Sequence, residues 1–140
     1  MSDLNVVDLF AAFNTDTKAE QEGMLTVLPN CGDTKFRVAR AGNKSYNKLL
    51  SSLYKRNRVI LDSKGDDAEN KSNEIMTEVF AKTILLGWEG TITYQGKKEP
   101  YSYEMAKKLL AHKDFRQVVA QVSEDFANFK TEKDEEDLGN

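Results

Sequence analysis

The segment from Gly90 to Lys98 comes nearest to a nucleotide-binding motif. A phosphate-binding loop has four residues between its two glycines, and a serine or threonine after its lysine. Here five residues separate Gly90 from Gly96, and Lys98 follows Lys97 where the hydroxyl residue should stand. Pro100 then closes the segment, where a phosphate loop would open a helix. The segment therefore predicts a polar hairpin turn and no nucleotide site.

His112 and Cys31 are the only histidine and the only cysteine in the chain. A structural zinc site needs several such ligands, so neither residue has the partners for one. A nucleophilic cysteine needs a base beside it, and the sequence around Cys31 offers none. The carboxylates fall on predicted helix surfaces and in the C-terminal tail. We therefore expect no catalytic residues, no cofactor and no metal, in a protein that is not an enzyme.

One charge feature stands out from the composition. Between Thr34 and Leu61 there are eight basic residues and no acidic one, whereas the first 33 residues contain six acids and one lysine. A solvated surface is the simplest interpretation. The alternatives are contact with an acidic segment of the same or another chain, and contact with nucleic-acid phosphates. The four basic residues spaced to share one helix face are Lys44, Lys48, Lys55 and Arg58.

Trp88 follows Gly87 at the end of a helix that is predicted to be buried. Large aromatic residues at such positions fill cores, and they also anchor protein interfaces. Core packing is the favoured interpretation. For a partner-binding surface we nevertheless select the aromatic residues of this loop region, together with the basic helix face. The aromatic members are Trp88, Tyr94, Tyr101 and Tyr103.

Length and composition indicate one domain. A chain of 140 residues, 39% hydrophobic and 31% charged, can bury one core, and its net charge of −3 implies neither a nucleic-acid nor a membrane partner. No apolar run approaches the roughly 20 residues that cross a bilayer. The segment from Met1 to Phe13 contains Asp3 and Asp8 and no basic residue, unlike a secretory signal. We expect residues 1–130 to form a single globular domain in the cytoplasm and residues 131–140 to form a flexible acidic tail.

The sequence patterns around these residues predict a mainly helical α+β fold. An N-terminal β-hairpin is predicted from the strand-like run Met24–Pro29, a turn containing Gly32, and the alternating polar and apolar residues of Lys35–Arg40. The apolar residues between Leu4 and Phe13 fit a short helix, and a second short hairpin fits Thr91 to Lys97.

About four amphipathic helices should follow the hairpin. The first is predicted from Asn43, as its N-cap, to Leu61, and the second from about Asp67 to Leu86. Ser102 should cap the third, and Asp114 with Gln117 fits a capping box for the fourth, which runs towards Phe129. The result is a helical domain with a short, disordered acidic tail.

Three ordered segments carry a family resemblance. They are FRVARAGNKSY at 36–46, AKTILLGWEG at 81–90 and PYSYEMAKKLL at 100–110, and the likeness continues to Phe129. In order and spacing these segments resemble the tail assembly chaperones of long-tailed, non-contractile bacteriophages. The motifs are packing motifs, so no catalytic or ligand residue carries over.

The resemblance implies a non-enzymatic protein that binds and solubilises the phage tape measure protein and helps recruit tail tube subunits. Such proteins act in the host cytoplasm and are absent from the mature virion. Self-association and a longer frameshifted product are left open. The alternative is a small nucleic-acid-binding or regulatory protein that uses the basic face between Lys44 and Arg58.

Overall fold

The computed structural model describes residues 6–131. Within this range the chain forms seven α-helices, five β-strands and a final 3₁₀ turn. The helices are α1 (Leu9–Ala12), α2 (Thr17–Glu22), α3 (Lys44–Arg56), α4 (Arg58–Asp62), α5 (Asp66–Thr83), α6 (Tyr103–Leu110) and α7 (Lys113–Glu124). The strands are β1 (Met24–Val27), β2 (Lys35–Val38), β3 (Leu85–Trp88), β4 (Thr91–Tyr94) and β5 (Lys97–Pro100), and the 3₁₀ turn is Phe126–Phe129.

The prediction of an N-terminal β-hairpin followed by about four helices is wrong. Two short helices precede the first strand, which begins at Met24, and the five strands form two antiparallel sheets. Asp8 caps α1 and Asp16 caps α2, each accepting two backbone N–H groups of its first turn. The sequence pattern does not identify helix α2, because its six residues are too few to show helical periodicity.

The first sheet has three strands in the order β1-β2-β3. Strands β1 and β2 pair as the alternation predicts, with Thr26 opposite Phe36. Strand β3 is the main difference between the predicted and the observed fold. The second long helix is predicted to reach Leu86, but it ends at Thr83. The run Ile84–Trp88 is apolar enough to fit either a buried helix end or a buried strand. Pairing with β2, which places Trp88 opposite Phe36, favours the strand.

The second sheet is the hairpin β4–β5, which lies where the turn residues predict it. Its turn places Gln95 and Gly96 at φ of 51° and 81°, the positive values that a tight two-residue hairpin turn requires. The hairpin is tied to the first sheet by a hydrogen bond from the Trp88 indole to the Glu99 carbonyl.

The helix predicted from Asn43 to Leu61 is two helices. Asn43 caps α3 as predicted, accepting the Tyr46 N–H at 2.9 Å. Asn57 ends it, with φ −113° and ψ 21°, and its amide donates to the Leu53 carbonyl at 2.8 Å. The predicted capping box of α7 is also wrong, because its N-cap residue is His112, which makes no side-chain cap.

The main core lies between the three-stranded sheet and helices α5, α6 and α7. A smaller cluster of Leu53, Ile75 and Val79 lies where α3 and α4 pack on α5. Full burial of one leucine, isoleucine or valine side chain stabilises the folded state by about 1.5–3 kcal/mol. In the main core, the side chains with no exposed surface include Val38, Ile84, Leu85, Leu110 and Val119.

The two ends of the described chain meet. Thr15 and Lys130 form an isolated antiparallel bridge, and the Asp16 N–H donates to the Phe129 carbonyl at 2.7 Å. The Phe13 and Phe126 rings lie 5.0 Å apart beside this bridge. The predicted acidic tail lies, after Thr131, outside the described residues.

Candidate functional site

Trp88 ends strand β3 and is buried, with 7% of its surface exposed. Its ring packs edge-on against Tyr101, at 5.0 Å between ring centres, and against Phe36 at 6.0 Å. Its indole N–H donates to the Glu99 carbonyl at 3.3 Å. These contacts favour the core interpretation of Trp88, which leaves little of its surface for a partner.

Tyr101, which follows β5, and Tyr103, the first residue of α6, are both half-buried. Burial raises the pKa of Tyr101 above its ordinary value, and the neighbouring Tyr103 raises it further. Lys82 and Lys107 each place Nζ 5.8 Å from the centre of the Tyr103 ring, within cation–π range. Tyr101 therefore belongs with Trp88 in one packed cluster, whereas the Tyr103 ring has lysine ammonium groups over it.

Tyr94 lies on the β4–β5 hairpin, where it packs edge-on against His112 at 6.4 Å. It points to the same side of β4 as Ile92, and both are half-buried. The four selected aromatic residues thus do not form one exposed surface. Trp88 and Tyr101 pack together, while Tyr94 packs against His112 on the hairpin.

An apolar cleft of about 430 Å³ lies between the β1–β2 loop, strand β4 and helices α6 and α7. Its apolar wall consists of Phe36, Ile92, Leu109 and Phe115, and its polar rim includes Asn30, Cys31, Thr34, Thr91 and Thr93. Burial raises the pKa of the Cys31 thiol, which disfavours the thiolate. We call this feature the apolar cleft.

The sequence pattern does not identify the apolar cleft. Ile92, Leu109 and Phe115 come from three separate elements, and their convergence depends on how the hairpin packs against the two helices. The one local signal is the alternation of Thr91–Tyr94, which gives β4 an inward face containing Ile92. That signal predicts a strand, and it does not predict an opening beside it.

The four residues of the predicted basic face are all exposed. Lys44, Lys48 and Lys55 lie on α3, but Arg58 belongs to α4, beyond the break at Asn57, so the four do not share one helix. In the part of the chain that the structure describes, none of the four makes an ion pair.

Among residues 6–131, no three or more His, Cys, Asp or Glu side chains are grouped so that they could hold a metal ion. None of the described helices has both the length and the apolar character needed to span a bilayer.

Comparison with known proteins adds one finding. No curated protein and no solved structure matches the chain. A protein-family model, described as "YdaY prophage protein", matches residues 41–140. The matched region runs from the start of the basic face through the hairpin β4–β5 and helices α6 and α7, so it contains most of the apolar cleft. Because the match covers more than half of the 140 residues, the chain belongs to the YdaY prophage protein family and is phage-derived.

Proposed function

We propose that this prophage protein is a tail assembly chaperone. In this role it binds and solubilises the tape measure protein, helps recruit tail tube subunits and catalyses no reaction. It acts in the host cytoplasm and leaves before the virion is complete. The ordered resemblance between Thr34 and Phe129 supports this role, and membership of a prophage family is consistent with it. In the structure, the proposal rests on the apolar cleft.

The apolar cleft suits a helical, apolar client. Ile92, Leu109 and Phe115 are each partly exposed, so a client side chain that enters between them removes apolar surface from water on both partners. Burial of such surface contributes about 25 cal/mol per Å², and helix-in-groove recognition uses a few side chains of this kind. A cleft of about 430 Å³ holds one or two side chains, so each contact is weak.

Weak contacts suit a chaperone that must be displaced when the tail tube assembles. Many copies bound along one long client add their contacts through avidity, without any single tight site. The two lysines over the Tyr103 ring and the basic residues of α3 can attract acidic parts of the client at long range.

The test is co-expression with the tape measure protein of the same prophage, measuring how much of that protein remains soluble. We expect the wild-type chain to keep it soluble and Ile92→Asp to lose most of that effect. Binding of the client would have to remove the new carboxylate in the apolar cleft from water, which weakens binding. Val59→Asp is the matched control, since Val59 is an aliphatic residue 88% exposed on α4, outside the cleft. Equal loss in both variants, or no effect of the wild-type chain, would reject the proposal.

Binding to nucleic acid is the second candidate. Lys44, Lys48 and Lys55 are exposed on one face of α3, and no described acid pairs with them. If they contact phosphates, binding must weaken steeply with salt and fall in the Lys48→Glu, Lys55→Glu double variant. Absence of binding to DNA and RNA at low salt would remove this candidate.

A further inference from the structure

The N-terminal segment has more exposed apolar surface than any other part of the described chain. Within Val6–Phe13, five large apolar residues are 60–81% exposed, with Phe10 the most exposed. The visible attachment of this segment to the body is at its end, where the Phe13 ring meets Phe126. Such continuous apolar exposure is characteristic of a segment that packs against a partner. We call residues 6–13 the N-terminal arm.

A second exposed apolar surface lies on the three-stranded sheet. Leu25 and Val27 of β1 face outward and are 41% and 52% exposed. The register places Arg37 opposite Leu25 and Lys35 opposite Val27, so this face of the sheet is apolar on β1 and basic on β2. We call these four residues the sheet face.

Strand β1 is also an edge strand, paired within the described residues only with β2. Its sequence, MLTV, contains none of the charges or prolines with which proteins usually protect an edge. An uncharged edge strand of this kind is open to contact with another chain.

The N-terminal arm and the sheet face are complementary. The arm is apolar and carries one acid, Asp8. The sheet face is apolar with two bases. In one molecule the arm does not cover the sheet face, because it lies beside the C-terminal 3₁₀ turn while Leu25 and Val27 stay exposed.

We propose that the N-terminal arm of one copy packs on the sheet face of a second copy. The two surfaces differ, so the contact is head-to-tail, and every added copy leaves one free arm and one free sheet face. The protein therefore assembles into open chains or closed rings. This proposal does not depend on the identity of the client.

The test uses two complementary variants, measured by size-exclusion chromatography with light scattering. Phe10→Asp disables the arm, and Val27→Glu disables the sheet face. We expect the wild-type protein to gain mass as its concentration rises, and each variant alone to remain a monomer. Mixed together, the two should give a one-to-one dimer and nothing larger, because one intact arm and one intact sheet face remain. Circular dichroism confirms that each variant is folded.

Val59→Asp serves as the matched control and should assemble like the wild-type protein, since Val59 lies outside both surfaces. Three results would overturn the proposal: a monomeric wild-type protein at every concentration, unchanged assembly of Phe10→Asp, or a mixture that remains monomeric. A monomeric wild-type protein that still solubilises the tape measure protein would reject self-assembly and leave the chaperone role intact.

Discussion

Arg116 on α7 donates a hydrogen bond from Nη1 to the Thr77 hydroxyl on α5 at 3.0 Å. The same guanidinium donates to the Leu110 carbonyl at 3.1 Å and to Asn73 Oδ1 at 3.0 Å. Burial lowers the pKa of Arg116, and no carboxylate is among these partners. One cation thus joins α5 to the C-terminal end of α6 and to α7. These contacts hold together the two helices that carry Leu109 and Phe115 of the apolar cleft.

Arg116→Ala should lower the free energy of unfolding by about 1.5–3 kcal/mol, because it removes hydrogen bonds from a charged donor and leaves their acceptors unpaired. Urea denaturation measures the change. Lys113→Ala is the control, since its ion pair with Glu69 is exposed and 3.7 Å long. Such pairs contribute about 0–1 kcal/mol. If the two variants lose equal stability, the joining role of Arg116 is refuted.

Trp88→Ala should destabilise the fold by about 3–5 kcal/mol, because it empties a large buried site between Phe36 and Tyr101. Thermal unfolding followed by circular dichroism measures this. Tyr54→Ala, at a residue 40% exposed, should change stability far less. A Trp88→Ala protein that is as stable as the wild type but fails to bind the client would instead make Trp88 an interface anchor.

Gly23→Ala should cost more stability than Gly32→Ala. Both glycines have positive φ, of 92° and 66°. A Cβ at Gly23 would lie 2.6 Å from Arg37 Cγ, whereas nothing lies within 4 Å of one at Gly32. Gly32→Ala therefore lowers the free energy of unfolding only by the cost of placing alanine in the left-handed region, about 1–2 kcal/mol. Gly23→Ala has that cost and must also displace the Arg37 side chain. Chemical denaturation of both variants compares them, and equal losses would contradict this ranking.

Stability should fall at alkaline pH. Burial raises the pKa of the Cys31 thiol above its ordinary value of 9.0, and the pKa of the Tyr101 hydroxyl above 10.0. Burial also raises the pKa of Tyr46, with smaller contributions from the charges of Glu124 and Tyr54. Each group stays protonated in the folded state at a pH where the unfolded chain already loses its proton.

The contribution of these groups is therefore complete below pH 9 and is lost as the pH rises through the raised values. The melting temperature should be level from neutral pH to about 9 and decline above it. Tyr101→Phe should reduce the steepness of that decline. A melting temperature that rises between pH 9 and 11 would contradict the assignment.

Local signals in the sequence were sufficient for part of the fold. Asn43 and Ser102 cap helices because a short polar side chain before a helix bonds its own first turn. Gly96 marks a hairpin because few other residues adopt positive φ cheaply. Strand β3 could not be predicted in this way, since its conformation depends on pairing with β2, about 50 residues earlier in the chain.

The functional surfaces were less predictable than the elements. For Trp88 the sequence favours the core over a partner surface, and its 7% exposure agrees with that interpretation. The apolar cleft needs three distant segments to converge, and no local pattern encodes that. The exposure of Phe10 was also unpredictable, because its helical spacing suits a core contact as well as a partner contact.

The most direct test of the chaperone role is a nuclease-treated pull-down of the tagged chain from cells that make the phage structural proteins, read by mass spectrometry. We expect recovery of the long tape measure protein, with or without tail tube subunits, and its loss in the Ile92→Asp variant but not in Val59→Asp. Absence of the tape measure protein, with nucleic acid bound to the chain in the untreated sample, would contradict the chaperone role and favour the basic residues of α3 as the functional site.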